Sequence, residues 1–263
     1  MSLSFDAFIS YGRADSKAFA TELYTQLTEQ GFKVWFDQND IPLAVNFQNQ
    51  IDDGIEKAHN FLFIIAPHSV NSPYCLKEIN LAIKLNKRII PLFHVGEINK
   101  ATWQQRTPEG TDADWKRFKQ QGKHSSFPNM HPKIAEINWI YFHAEVDGFK
   151  AALPGLIAAL RKHADYVSQH TQFLVKALAW QRHHKQNHYL LIDEERIQAE
   201  SWLKIRFEDE QTPCEPTDLH CEFICESTKN SSNLMTQVFL SYAELDKVPM
   251  QQIRRSLMHW YFI

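Results

Sequence analysis

Six consecutive residues, Phe61 to Ala66 (FLFIIA), are apolar without exception. A strand with one wet face must alternate, so an unbroken apolar run of this length reads as a strand covered on both faces. It is far too short to cross a bilayer as a helix, which takes about 20 apolar residues. Such a strand needs helices on both sides of its sheet, and the flanking sequence supplies them. Phe5 to Tyr11 reads as a first strand. After it, Phe19, Leu23 and Leu27 share one helical stripe, opened by Asp15 or Ser16 as N-cap and stopped at Gly31. Lys33 to Asp37 (KVWFD) is a second strand, and Phe47, Ile51, Ile55 and Ala58 recur at helical spacing. Ser72 as N-cap and Pro73 at the first helical position open a third helix. Ile89 to Phe93 and Ile137 to Phe142 give strands four and five, with Phe149 to Leu160 as the helix behind. This alternation predicts an α/β fold with a doubly wound, five-stranded parallel sheet. Asn99 to Lys133 is longer than ordinary connections and is expected to be an insertion with one short helix or a mobile loop.

Beyond Lys162 the alternation stops. Phe173, Leu174, Ala177, Leu178 and Trp180 suggest one helix and Ala199, Trp202, Leu203 and Ile205 another, with a third, short helix opened by Thr217 in PTDLHCEFICES. The expected organisation is an α/β domain over residues 1–162, an all-helical extension over 163–235, and a partial repeat over 236–263. In that last segment Phe239, Leu240, Ser241, Tyr242 and Asp246 restate Phe8, Ile9, Ser10, Tyr11 and Asp15 at one constant offset. Only a strand and most of a helix fit before Ile263. The histidines at 163, 170, 183, 184 and 188 do not share a helical face and are expected on solvated surface.

Composition removes several classes of function. A net charge of −3 gives no global attraction for nucleic acid or anionic membranes, so neither is expected as a partner. Met1 to Asp6 has no basic segment leading into an apolar run, which points to a cytoplasmic chain. Cys75, Cys214, Cys221 and Cys225 are expected to be reduced thiols, Cys75 packed and Cys221 and Cys225 on a half-buried helix face. Their spacing lacks the paired knuckles of zinc sites, so no metal is expected. The eight glycines form neither G-x-G-x-x-G nor a Walker loop, which disfavours a bound redox cofactor. There is no G-x-S-x-G and no H-E-x-x-H.

What remains is Ser72-Pro73-Tyr74-Cys75-Leu76-Lys77-Glu78, directly after the third strand. Tyr74 and Glu78 are four apart on one helix and share a face near its N-terminal end. In open α/β sheets ligands lie at the carboxyl ends of the strands, where this helix begins and where the loops after Tyr11 and Asp37 emerge.

On these residues the chain resembles the TIR family over roughly its first 160 positions. FISYGRAD is similar to the family's first-strand motif, KVWFDQNDIP followed by Phe47 to its second strand and BB loop, and SPYCLKE to its Ser-x-Trp/Tyr-Cys-x-x-Glu motif. The resemblance implies a five-stranded parallel sheet and, in many members, cleavage of NAD+ to nicotinamide and ADP-ribose or a cyclic isomer. NAD+ would then be a substrate, and no cofactor is implied. Glu78 matches the catalytic glutamate and Tyr74 the aromatic position beside it, where Trp is frequent; Ser72 opens that motif. Ser10, Tyr11, Gly12 and Arg13 match the loop lining the pocket, with Arg13 a candidate for the pyrophosphate charge and Asp37 closing the second-strand motif. Leu43 and Phe47 match the BB loop and the aromatic after it, where this chain reads Pro42-Leu43-Ala44 in place of the family's frequent glycine. The family also implies activation by self-association of TIR domains. A non-enzymatic adaptor that only recruits other TIR domains is the alternative. HTQFLVKALAWQR and PTDLHCEFICES resemble linkers following effector domains in bacterial multidomain STAND and WD-repeat proteins, which implies a sensor outside this chain and a role in a bacterial antiphage or stress response.

Overall fold

The computed structural model describes residues 4–37, 47–142 and 148–234, together with 249, 251 and 252. Strand β1 (Phe5–Ser10) leads into helix α1 (Arg13–Glu29), β2 (Val34–Trp35), α2 (Phe47–Lys57) and β3 (Ala58–Ile65). A short α3 (Pro67–Val70) precedes α4 (Pro73–Lys84) and β4 (Arg88–Phe93). Then come α5 (Lys100–Arg106), α6 (Asp112–Gln120), α7 (Pro132–Ala135), β5 (Ile140–Tyr141) and α8 (Gly148–Arg161). Helices α9 (Ala164–Arg182), α10 (Asp193–Leu203) and α11 (Asp218–Leu234) follow. The five strands are all parallel, in the order β2-β1-β3-β4-β5.

Period-two side-chain alternation explains why β3, after the polar His59 and Asn60 at its start, is apolar on both faces from Phe61 to Ile65. Leu62 and Ile64 of β3 join Ala7 and Ile9 of β1 in a core with Leu23 and Leu27 of α1 and Leu156 and Leu160 of α8. Phe61, Phe63 and Ile65 point the other way, into a core with Phe8, with Ile51 and Ile55 of α2, and with Cys75 and Ile79 of α4. Leu174 of α9 belongs to this second core, so the helical extension packs on the α2/α4 side of the sheet. A third core, with Trp180, Trp202 and Phe223 at its centre, holds α9, α10 and α11 together.

Several expectations need correction. Neither Asp15 nor Ser16 caps α1: the helix starts at Arg13, Gly12 stands at the N-cap without a side-chain bond, and Ser16 is buried in the first turn. Gly31, at φ 86°, stands just past the end of α1 in a conformation that side chains with a Cβ adopt at a cost. Strands β2 and β5 are two residues each, shorter than their apolar runs. At the sheet edges, only the residues facing a neighbouring strand find ladder partners. The long β4–β5 connection is neither a single short helix nor a bare loop; three helices occupy it, and Trp103, Trp115 and Phe118 pack against one another there. Helix α11 runs 17 residues rather than a short turn or two. His170 is buried, not solvated, and the face carrying Cys221 and Cys225 is exposed. The expected repeat at Phe239 to Asp246 lies outside the described residues.

Candidate functional site

The strand order reverses between β1 and β3: the chain goes outward from β1 to β2, then returns to build β3, β4 and β5 on the other side. Helices leaving these two strands diverge to opposite faces, which leaves a crevice at their carboxyl ends. Ser10 is the last residue of β1, and α4 enters beside the end of β3. Ser72 caps α4 by accepting the Cys75 N–H at 3.3 Å, and Pro73 occupies its first position, as the local sequence predicts. The cap fixes the helix start, and with it the side on which Glu78 emerges one turn later.

Glu78 is half-buried, and its Oε2 accepts a 2.6 Å hydrogen bond from the Ser10 hydroxyl, itself buried. Burial pushes the carboxyl up to about 7; the Ser10 bond pulls it down, and the charges of Asp37 and Asp52 push it up again. No ion pair neutralises Glu78 among the described residues. A carboxyl in this state is poised between acid and base near neutral pH, and the bond described for it leaves Oε1 untouched.

Asp37 organises the neighbouring loop. Tyr11 Oη donates to its Oδ1 at 2.9 Å, and Arg13 donates to its Oδ2 through Nε at 3.2 Å and through a terminal nitrogen at 2.6 Å. The guanidinium is therefore committed to an ion pair at the rim, and the Asp37 bonds raise its pKa further. Gly12 is required by close approach, since a Cβ there would lie 2.5 Å from the Ser69 amide nitrogen. Asp15 turns inward and binds the same region together: its Oδ2 accepts the His68 N–H at 2.5 Å and its Oδ1 is paired with Arg106. Asp15, His68 and Arg106 thus tie the loops after β1 and β3 to α5.

Cys75 lies under the site with its thiol on the Tyr11 carbonyl at 3.5 Å, and burial pushes it up to about 12, so it stays protonated and acts as packing. Tyr74 stands more than half exposed at the entrance of α4, with the Lys77 ammonium 5.9 Å from its ring centre. Two cavities flank the same helix end. One of about 560 Å³ is lined by Ser72, Tyr74, Trp103 and Arg106, the other of about 450 Å³ by Ser72, Leu76 and Met130; Glu78 is not in the lining described for either. Of the residues singled out from sequence, Ser10, Tyr11, Gly12, Arg13, Asp37 and Glu78 converge at the ends of β1 and β3, while Ser72 and Tyr74 face the adjoining cavity. Leu43 lies outside the described residues, and for Phe47 only its place at the start of α2 is described. Asp52 and Arg106 had no signal in the sequence, since a polar residue beside a helical stripe looks like any solvated one. Among the described residues no cluster of His, Cys, Asp and Glu fits a metal ion, and no helix is long and apolar enough to cross a membrane.

The family model described as "TIR domain" matches residues 7–157. A 2' cyclic ADP-D-ribose synthase, BtTIR, from Bacteroides thetaiotaomicron is 30% identical over 94 residues, covering 34% of this chain and 33% of that protein. The NAD(+) hydrolase TcpC of Escherichia coli O6:H1 is 26% identical over 95 residues, covering 34% of this chain and 31% of that one. The chain thus spans about a third of the length of the curated relatives it matches. Among solved structures, the TIR domain of the Toll-related Receptor TRR-2 from Hydra magnipapillata superposes with a TM-score of 0.42 at 16% identity, covering 60% of this chain and 99% of that one. With the model matched over more than half of its length, this chain belongs to the TIR domain family.

Proposed function

We propose that this protein cleaves the nicotinamide–ribose bond of NAD+, releasing nicotinamide and leaving ADP-ribose or a cyclic isomer. The observation that carries the reading is the half-buried Glu78 carboxyl, bonded to Ser10 at the switch point of the sheet and matched by no cation among the described residues. Support also comes from the names of two relatives, a cyclic ADP-ribose synthase and an NAD+ hydrolase. Loss of nicotinamide develops positive charge on the ribose ring, and an unneutralised carboxylate beside that ring stabilises it. Nicotinamide leaves neutral, so one carboxylate suffices. The Ser10 hydrogen bond favours the charged form of Glu78 against the burial that raises it. Tyr11, through Asp37, keeps the β1 loop in register beneath the substrate, and Tyr74 and Ser72 border the cavity that takes the rest of it. Arg13 is spoken for by Asp37 and reaches a pyrophosphate only by giving up that pair. The protein acts in self-associated form, in a bacterial defence response. Nicotinamide release from NAD+ by the assembled protein, and its loss in Glu78→Ala, tests the reading; equal turnover by the variant removes Glu78 from the mechanism.

A second reading has its own observation. Tyr74 and Leu76 are exposed apolar residues on α4, and Glu78 is absent from the lining of the two neighbouring cavities, as suits a helix used for recruiting other TIR domains rather than for chemistry. Absence of nicotinamide release in every assembled state favours that adaptor.

A further inference from the structure

The seam between the sheet and the helical extension contains a lysine that is 6% exposed. Lys87, in the turn between α4 and β4, donates from Nζ to the Glu56 carbonyl at 2.7 Å, the Ala58 carbonyl at 2.8 Å and Thr171 Oγ1 at 3.2 Å. An ammonium has three donors, and all three are met. Two acceptors lie where α2 ends and β3 begins; the third is on α9. Thr171 Oγ1 in turn donates to the Ala58 carbonyl at 3.2 Å. Arg182, near the end of α9, is paired with the Glu56 carboxylate, whose side chain is only 11% exposed. The extension therefore holds the Glu56 side chain and the Ala58 carbonyl directly, and reaches the Glu56 main chain, at the C-terminal end of α2, through Lys87.

Helix α2 also packs against α4, the helix that carries Glu78: Ile51 and Ile55 share a core with Cys75 and Ile79 on either side of Glu78. Asp52, one turn before Glu56, accepts from Gln48 at 2.8 Å, and its negative charge reaches Glu78. The helix has 11 residues, about 16 Å from end to end, and packed helices move as rods rather than bending. A displacement at Glu56 is thus carried to Asp52. We propose that α9 is a control element for the Glu78 site, its grip on Glu56, Ala58 and Lys87 setting where α2, and Asp52 on it, stands against the Glu78 carboxylate. The inference rests on Glu78 being the reactive group only for its consequence in catalysis; the mechanical link from α9 to α2 stands independently. A partner that draws α9 off the sheet would act on the site through this link.

The test compares the full chain with a Thr171→Val and Arg182→Ala double variant by hydrogen exchange. Amides of residues 51–57 are expected to exchange about tenfold faster, together with those of α9, while those of α1 keep wild-type rates. Lys176→Ala, which breaks an exposed pair with Glu195 inside the extension, should leave α2 unchanged. In the same double variant the Glu78 carboxyl, followed by carbon-13 NMR, should titrate lower, as the Asp52 charge that raises it recedes. Wild-type exchange in α2, an unmoved Glu78 midpoint, or an equal effect from Lys176→Ala overturns the proposal. Should the double variant not fold, Arg182→Ala alone, altering a mostly exposed side chain, is expected to speed exchange of the same segment by a few-fold, and no change there also overturns it. Neither measurement uses NAD+, so failure of the enzymatic reading is seen separately, as a wild-type protein that releases no nicotinamide.

Discussion

Glu78 and Gly12 illustrate two ways in which a single residue controls the site. Glu78 acts through charge. Its folded pKa, raised to about 7, lies above the ordinary carboxylate value, so the neutral form is favoured in the fold and the catalytic carboxylate appears as pH rises through about 7. Nicotinamide release is expected to climb across that pH, and Glu78→Ala to lower it by at least about a hundredfold at saturating NAD+. Ser10→Ala removes the bond that favours the charged form, so its rate profile should shift to higher pH; a profile superimposable on wild type would mean that another group limits the acid side. Gly12 acts through space. A methyl group there meets the Ser69 backbone, which cannot swing aside as a flexible side chain can, so Gly12→Ala should cost about 2 kcal/mol, read as a lower urea midpoint with an unchanged slope.

At the scale of elements, the helical extension carries a polar centre that depends on neutral histidines. The Thr217 N–H donates to His220 Nδ1 at 3.0 Å, which leaves Nε2 to donate to the His170 carbonyl at 2.9 Å. Protonating Nδ1 would set one donor against another, at a helix N-terminus where positive charge is disfavoured. Burial lowers His220 to about 4, and also His59 to about 4 on the strand beneath; His170 is lowered by burial and by His220 and Lys87. The groups facing them include Lys87, which disfavours their protonation, and Asp6, which favours that of His59. An unfolded histidine titrates near about 6.5, so between about 6.5 and 4 the unfolded chain binds more protons and stability falls as pH falls. Urea midpoints followed by exchange in α9 and α11 should drop between pH 7 and pH 5. A constant midpoint would mean that the histidines titrate normally.

For the molecule as a whole, the site sits on one part and its proposed control on another. Only residues 7–157 match the TIR model, and α9 to α11 extend beyond them. If the family's dependence on association applies here, nicotinamide release per subunit should rise when the chain is forced to cluster, for example on a scaffold, and fall back on dilution. A rate proportional to protein at every density would assign a complete site to the single subunit. Raised activity in an unclustered Thr171→Val and Arg182→Ala variant would identify the extension as a brake; lowered activity would make it a support.

Much of the fold is legible in the sequence alone. A run such as Phe61 to Ala66, apolar at every position, must be sandwiched, and strict strand–helix alternation makes its sheet parallel; both follow from local periodicity. The start of α4 was legible because a cap is a local device, Ser72 followed by Pro73, and it carries Glu78 with it. Edge strands shortened to two residues, the three helices after β4 and the burial of His170 were not legible, because each depends on which neighbour is present. The same holds for the site's electrostatics. Sequence singled out Glu78, but only the fold brings Ser10, Asp37 and Asp52 around it, and with them its poise near neutrality. Lys87 and Thr171 are far apart in the chain and ordinary in type; their meeting exists only where the extension closes on the sheet. Local pattern determined the elements and the residue worth watching, while charge, burial and the coupling between distant segments, being sums over neighbours in space, were decided by tertiary packing.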